Sequence, residues 1–430
     1  MLDIKFIRQN PELVKKGARK KRADIDIDLI LQKDEKHRGV IQQLDVLRAE
    51  QNQLSKSVSG GKPSEDIIKQ SKDLKVRIEQ LENKEKPLNE ELGKMLLMVP
   101  NLPLEDVPEG KDENDNVVLR EVGEKSKFDF EPKSYLEIAE KLDWIDVGRA
   151  AKVAGSRFGY LKNGAVLLEF ALVNYVFSVL TNKDILQPIA DGVKNGYNAK
   201  PFVPVVPPAM IKPDVFRKMA RLDPGQEDER YYLPKDDLYL IGSAEHTLGP
   251  LHMDEVLSEE ELPIRYIGFS SSFRREAGSY GKDTKGIIRV HQFDKLEMET
   301  FTTPENSLIE QNFIVAIQEY LVQSLGIPYR VVMICTGDMG GPDARQLDIE
   351  AWLPSENKYR ETHTSDLMTD YQSRRLNTRV RRQNGDVQFA HMNDATAFAI
   401  GRTIVAIIEN FQQADGTVKI PSVLSKYLPQ

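Results

Sequence analysis

Apolar residues recur along this chain with two different periods, and each period predicts its own architecture. Val40, Leu44, Leu47, Leu54 and Val58 follow a seven-residue repeat with one polar interruption at Gln51. Leu74, Ile78, Leu81, Leu88, Leu92, Met95 and Val99 take it up again, and such a repeat is the signature of helices packed along a seam. Between the two runs, Ser-Gly-Gly-Lys-Pro-Ser at 59–64 breaks the pattern, and Ser64-Glu65-Asp66 restarts a helix. Two heptad helices joined by a short turn predict an antiparallel coiled-coil hairpin, about 40 Å long at 1.5 Å per residue. Pro87 lies inside the return leg and predicts a kink or a longer base there. Ahead of the hairpin, residues 1–22 read as short helices, with Asn10-Pro11-Glu12 as a cap and first turn.

Farther on the period changes to two. Residues 273–297 carry two alternating runs around a loop rich in Gly and charge, which predicts an antiparallel hairpin with a long loop. Alternation sets Arg289, His291, Phe293, Lys295 and Glu297 on one face of the second strand, and Arg274 with Glu276 on one face of the first. Any one of these is most simply a solvated strand residue. Together, the arginines, the aromatic ring and the carboxylates suit a nucleotide joined to an acid group. The loop is not a phosphate-binding P-loop, because Lys282 is followed by Asp283 and the required glycine spacing is absent.

The remaining segments are coarser. Residues 100–124 read as a polar, proline-bearing linker, 135–185 as mostly helical, and 191–201 as loop within an extended 183–202 connection. Phe-Val-Pro-Val-Val-Pro-Pro at 202–208 suits an edge strand. A strand at 238–242 ends in Ser243-Ala244-Glu245, and two more strands fall at 348–352 and 359–364. Ala399-Ile400-Gly401-Arg402-Thr403 leads into an apolar helix at 404–408, with Arg402 at the junction. The fold class is α+β.

Charge divides the chain as the periods do. The net charge is −8, yet residues 1–100 carry 21 Lys and Arg against 17 Asp and Glu, and the remainder 38 against 50. A basic appendage, with Lys15, Lys16, Arg19, Lys20, Lys21 and Arg22 clustered, on an acidic body suits a polyanion-binding arm. At 430 residues, two or three domains fit. The single cysteine, Cys335, excludes a disulfide framework within the chain, and the six histidines show no zinc-ligand spacing. His291 and His363 are expected to orient neighbours. No apolar run reaches membrane-spanning length and the N-terminus lacks a signal-peptide core, so a soluble, cytoplasmic protein without membrane contact is expected.

Phe-Arg-x-Glu at 273–276, a loop, then Gly-Ile-Ile-Arg-x-His-Gln-Phe-x-Lys-x-Glu at 286–297 resembles motif 2 of class II aminoacyl-tRNA synthetases. The version with Glu-Ala-Gly-Ser and His-Gln-Phe is similar to that of the seryl-tRNA synthetase family, and the likeness runs over nearly the whole chain. It implies a tRNA-binding arm at 1–100, a linker at 101–125 and a class II catalytic domain at 126–430, its sheet mainly antiparallel and flanked by helices. The 202–208 strand resembles motif 1, which implies a homodimer. The activity implied is ligation of L-serine, with ATP and Mg²⁺ and without zinc, to serine tRNA, the family also charging selenocysteine tRNA. Two rivals are weighed: a carrier-protein aminoacyl ligase on the same fold, which should lack the arm, and a silent RNA-binding paralogue, which should have lost its arginines or Glu361.

By position, the resemblance gives Arg274, Glu361 and Arg402 the catalytic roles. Arg274 would bind the α-phosphate and the serine carboxylate, and Arg275 would complete the ATP site beside it. Glu276 would read the adenine amino group, Val290 would lie beside it, and Phe293 would stack on the ring. Arg289 and Arg402 would meet the pyrophosphate. Glu361 would hold the metal, with Thr362, His363 and Thr364 following it along the ATP. Ser243, Ala244 and Glu245 would take the serine ammonium, and Glu297 and Thr396 its hydroxyl. Three positions depart from the family: Ser243 replaces a threonine, Thr364 a serine and Asp394 an asparagine. Asp394 must face a cation or solvent, or else a shifted register brings Asn393 into the amide's place through a bulge.

Overall fold

The computed structural model describes residues 1–57, 64–223, 225–277 and 285–429. The turn expected at 59–64 lies outside them except for Ser64, as do Val58 and the loop at 278–284. The chain forms two compact units, Met1–Pro100 and Asn101–Gln430.

In the first unit the heptad runs become the long helices Ile27–Ser57 and Glu65–Met98. Leu44, Leu47 and Ile78 are buried between them, with Val40, Leu74 and Leu81 packed alongside. Lys33–Glu91, Arg48–Glu82 and His37–Glu85 join the two legs along their polar flanks. The Ser64 hydroxyl accepts from the Ile67 amide and caps the return helix, which continues through Pro87 without a break. Two short helices precede the hairpin, Ile4–Gln9 and Pro11–Lys20, the second with proline in its first turn. Arg8 fixes them to the first long helix through two hydrogen bonds to Asp34, 2.7 and 2.8 Å.

The second unit is built on an eight-stranded sheet. Its strands are β1 (Val117–Val122), β2 (Val203–Val205), β3 (Ile264–Phe273), β4 (Gln292–Thr302), β5 (Tyr329–Met333), β6 (Arg345–Leu353), β7 (Lys358–Thr369) and β8 (His391–Ala399). Their order is β1-β5-β6-β7-β8-β4-β3-β2, antiparallel throughout except where the edge strand β2 runs parallel to β3. The helices Gly164–Leu180, Ser307–Leu325 and Ile400–Asn410 pack their apolar residues on this sheet. No single helix among the described residues is long and apolar enough to cross a membrane.

Two bulges shape the centre of the sheet. The β6–β7 register slips at Thr362, and the β4–β8 register slips at Ala397. A bulge re-aims the side chains beside it. The Gln318 amide, from the helix below, donates to the carbonyls of Thr364 and Thr396, 2.9 and 2.8 Å away, and ties β7 to β8 there.

Three expectations need correction. The stretch 101–125 is not a free linker: Asn101 is buried and donates to the Pro342 and Met368 carbonyls, and β1 pairs with β5. The connection from 183 is helical over Lys183–Val193, despite Pro188 and Gly192, because Leu186 and Ala190 are buried in the core and Asn182 caps its start. Finally, the hairpin strands are shorter than alternation suggests, β3 ending at Phe273 and β4 beginning at Gln292. Arg274, Glu276, Arg289 and His291 therefore lie on irregular backbone.

Candidate active site

That irregular backbone makes a cavity where strand regularity would make a flat face. Gly286 sits at φ +76°, where a Cβ would come within 1.7 Å of the Tyr135 hydroxyl; only glycine fits there. The Tyr135 hydroxyl accepts from the Ile287 amide, and the Arg274 and His291 backbones pair across the mouth of the hairpin. Glu276 itself lies at φ +52°.

Arg274, Glu276, Arg289, Val290, Phe293, Glu361, Thr362, Thr364 and Arg402 line this cavity, with Lys295 and Thr396 at its inner end. Neighbours such as Glu361 and Thr362 both reach it because the bulge at Thr362 interrupts the alternation. Arg402, in the first turn of helix Ile400–Asn410, donates to the Glu361 carboxylate at 2.8 Å and to its carbonyl at 3.0 Å. Arg289 donates to Glu276 at 2.9 Å. The Arg274 guanidinium lies 5.2 Å from the Phe293 ring centre and donates to the Gly242 carbonyl. Against the cost of desolvation, Arg402 and then Arg274 hold the Glu361 carboxyl below its ordinary range.

The inner end is nearly dry and crowded with acids. Oxygens of Glu245, Glu297 and Asp394 lie within 4.8 Å of one another, all three residues buried. Lys295 Nζ is 2.5 Å from Glu297, 3.0 Å from the Ser243 hydroxyl and 3.7 Å from Glu245. Arg221 reaches Asp394 at 3.2 Å, and both Glu245 and Asp366 at 3.6 Å. Asp394 thus faces a cation, and Asn393 does not shift into its place: it pairs in register with Thr300, the bulge falling at Ala397 instead.

Burial sets the protonation of this cluster. It pushes Glu297 up to about 7 even though Lys295 pulls the other way. Burial also opposes charge on Glu245, but Lys295 and Arg221 outweigh it and hold that carboxyl low. Glu299 is fully buried, and its two oxygens find no hydrogen-bond partner among the described residues. Burial and the carboxylates of Asp394 and Glu245 push it well above the usual carboxyl range.

Two residues expected at the ATP lie elsewhere. His363 points to the far side of β7, buried against Phe398 with ring centres 5.6 Å apart, and burial lowers its pKa to about 3. Arg275 is exposed and lies over Tyr231, its amide bonded to the Glu229 carbonyl. Ala244 is buried beneath Gly268 rather than lining the cavity. Conversely, Arg221, Glu299 and Lys295 belong to the inner end but carried no assigned role. Lys295 and Glu299 had a usable signal, since both share the alternating face of β4 with Phe293 and Glu297, whereas Arg221 had none.

Residues 1–103 match the seryl-tRNA synthetase N-terminal domain, and residues 230–411 the class II core domain of the glycine, histidine, proline, serine and threonine synthetases. The serine–tRNA ligase of Dictyoglomus turgidum is 41% identical over all of this chain and 98% of its own length. The seryl-tRNA synthetase of Pyrococcus horikoshii, solved with ATP, superposes with a TM-score of 0.89 at 39% identity over 99% of this chain and 98% of that one. The cytoplasmic serine–tRNA ligase of Naegleria fowleri, solved with AMP, gives 0.85 at 32% identity, covering 99% and 97%. Similar from end to end in both sequence and fold, the chain belongs to the seryl-tRNA synthetase family, the ligases that join serine to tRNA.

Proposed function

We propose that this cleft activates L-serine with ATP, the nucleotide lying between Arg274 and Arg402 and the amino acid among Ser243, Glu245, Glu297 and Thr396. The observation that carries this reading is an arginine-lined cavity joined, through its Lys295 wall, to a buried acidic cluster of Glu245, Glu297 and Asp394. A polyphosphate suits the first and an ammonium group the second. Arg274 belongs to both, and its fork can hold an α-phosphate and a carboxylate together. A serine carboxylate oxygen attacks the α-phosphorus in line, and the bond to pyrophosphate breaks. No protein nucleophile is needed, since positioning and charge suffice. Arg289 and Arg402 offset the charge of the leaving pyrophosphate, Phe293 offers adenine a face, and Glu276 reads its amino group beside Val290. The terminal ribose hydroxyl of the tRNA then takes the seryl group and AMP leaves.

Mg²⁺ fits Glu361: the carboxylate is half-exposed on the cavity wall, and this ion takes one or two carboxylates plus phosphate oxygens. Bound there it would offset phosphate charge. Residues 1–100 would grip the tRNA by shape and backbone. A homodimer through the β2 side is supported by Val206, 80% exposed just beyond that edge strand. The protein would work in the cytoplasm.

ATP–pyrophosphate exchange against all standard amino acids tests the reading, with serine expected to give the strongest signal. A different preferred amino acid overturns it. Replacing residues 36–96 by a short linker should spare that reaction and severely weaken tRNA charging. Normal charging would take the arm out of tRNA binding.

A further inference from the structure

The inner end of the cleft already contains an ammonium group of its own. Lys295 Nζ is bonded to Glu297 and to the Ser243 hydroxyl and lies 3.7 Å from Glu245. These are the acceptors that the reading above gives to serine. Two ammonium groups cannot share them without strong repulsion in so dry a site. Lys295 also lines the outer cavity together with Arg274 and Glu361. Its four-carbon stem can therefore carry the charge from one end to the other by rotamer changes alone.

We propose that Lys295 is a place-holding cation: serine displaces it from Glu297, Ser243 and Glu245, and it then turns outward to the α-phosphate and the attacking carboxylate. The proposal rests on serine occupying the inner end. The displacement keeps the buried acids paired in both states, first by the lysine and then by the substrate, so no uncompensated charge is stranded. It also delivers a cation where negative charge develops in the reaction. Arg274 cannot play this part, because the Gly242 carbonyl and the Phe293 ring hold it in place. A compact ammonium on a flexible stem suits a moving charge better than a planar fork. One consequence is coupling. Phosphates that draw Lys295 outward free the serine site, so nucleotide and serine must tighten each other's binding by the same factor.

Calorimetric titration of the native chain with serine, with and without a non-hydrolysable ATP analogue, tests this directly. Serine should bind about tenfold tighter with the analogue present. In Lys295→Met that coupling should shrink to about twofold, serine alone should bind at least as tightly as to the native chain, and the turnover of pyrophosphate exchange should fall on the order of 100-fold. Equal serine affinity with and without the analogue in the native chain would overturn the proposal. So would a folded Lys295→Met that no longer binds serine, since the lysine would then be a fixed wall of the pocket. Should that variant not fold, the native titration decides alone. Serine binding unchanged in Glu297→Ala would instead overturn the placement of serine itself, whereas coupling absent from a chain that still needs Glu297 overturns only the displacement.

Discussion

At the outer end of the cleft two arginines each meet one carboxylate and a share of solvent: Arg402 with Glu361, Arg289 with Glu276. At the inner end Glu245, Glu297, Glu299, Asp366 and Asp394 crowd around Arg221 and Lys295, all but Arg221 buried. Half-exposed ion pairs are worth little by themselves, and they release easily to a polyphosphate that brings its own charge. Buried polar groups behave differently, because each one left without a partner carries a full desolvation cost. The outer end can therefore bind tightly without choosing much. With serine placed as proposed, choice between serine, alanine and threonine falls to the inner end, where a missing hydroxyl strands the groups that should meet it.

On that contrast, substitutions should hurt more the deeper they lie. Glu297→Ala is expected to lower kcat/KM for serine in pyrophosphate exchange about 10³-fold, as loss of a buried, hydrogen-bonded charge partner does; a loss under about tenfold would erase the contrast. Arg402→Ala should cost on the order of 10²-fold in kcat and leave the circular dichroism spectrum unchanged. An effect larger than that of Glu297→Ala would reverse the ranking.

The pH profile sharpens the picture further. Burial pushes Glu297 from 4.5 up to about 7, and with serine placed as proposed its carboxylate is the form that meets the substrate. Hence kcat/KM for serine should climb about tenfold per unit below pH 7 and level off above it. Stability moves the other way: the acid's contribution is full below about 4.5 and is lost as pH rises through about 7. Glu297→Gln should flatten both curves, and a native kcat/KM that stays level from pH 6 to 8 would contradict the assignment. The smallest effect is expected from Asp394→Asn. Glu245 and Asp366 remain 3.6 Å from Arg221, so KM for serine should change less than about tenfold, with serine still preferred over alanine and threonine. A switch of preferred amino acid would place Asp394 against the substrate side chain.

The same depth governs what could be read without coordinates. The arm was legible because Leu44, Leu47 and Ile78 obey a local repeat. The hairpin of β3 and β4 and most of the outer cavity followed from period-two alternation and a family motif. His363 was misplaced because plain alternation along β7 turns it away from the face that Thr362 and Thr364 share, whereas Glu361 joins that face only through the bulge at Thr362, which no local pattern announces. Lys183–Val193 was hidden by Pro188 and Gly192, whose weak helix propensity the buried Leu186 and Ala190 override. Arg221 reaches the inner end only through contacts between segments far apart in sequence, so nothing near it in the chain marks it out, whereas Glu299 continues the alternating face of Lys295 and Glu297.

Strand β1 carries a practical lesson of its own. It covers one margin of the eight-stranded sheet, and Arg120 holds it to Glu319 through a doubled ion pair. A catalytic fragment begun at 126, where the sequence suggested a boundary, would strip that cover and bare the amides and carbonyls of β5. An open strand rich in valine is a ready template for another chain. Such a fragment should clump on purification, whereas one begun at 101 should stay dispersed.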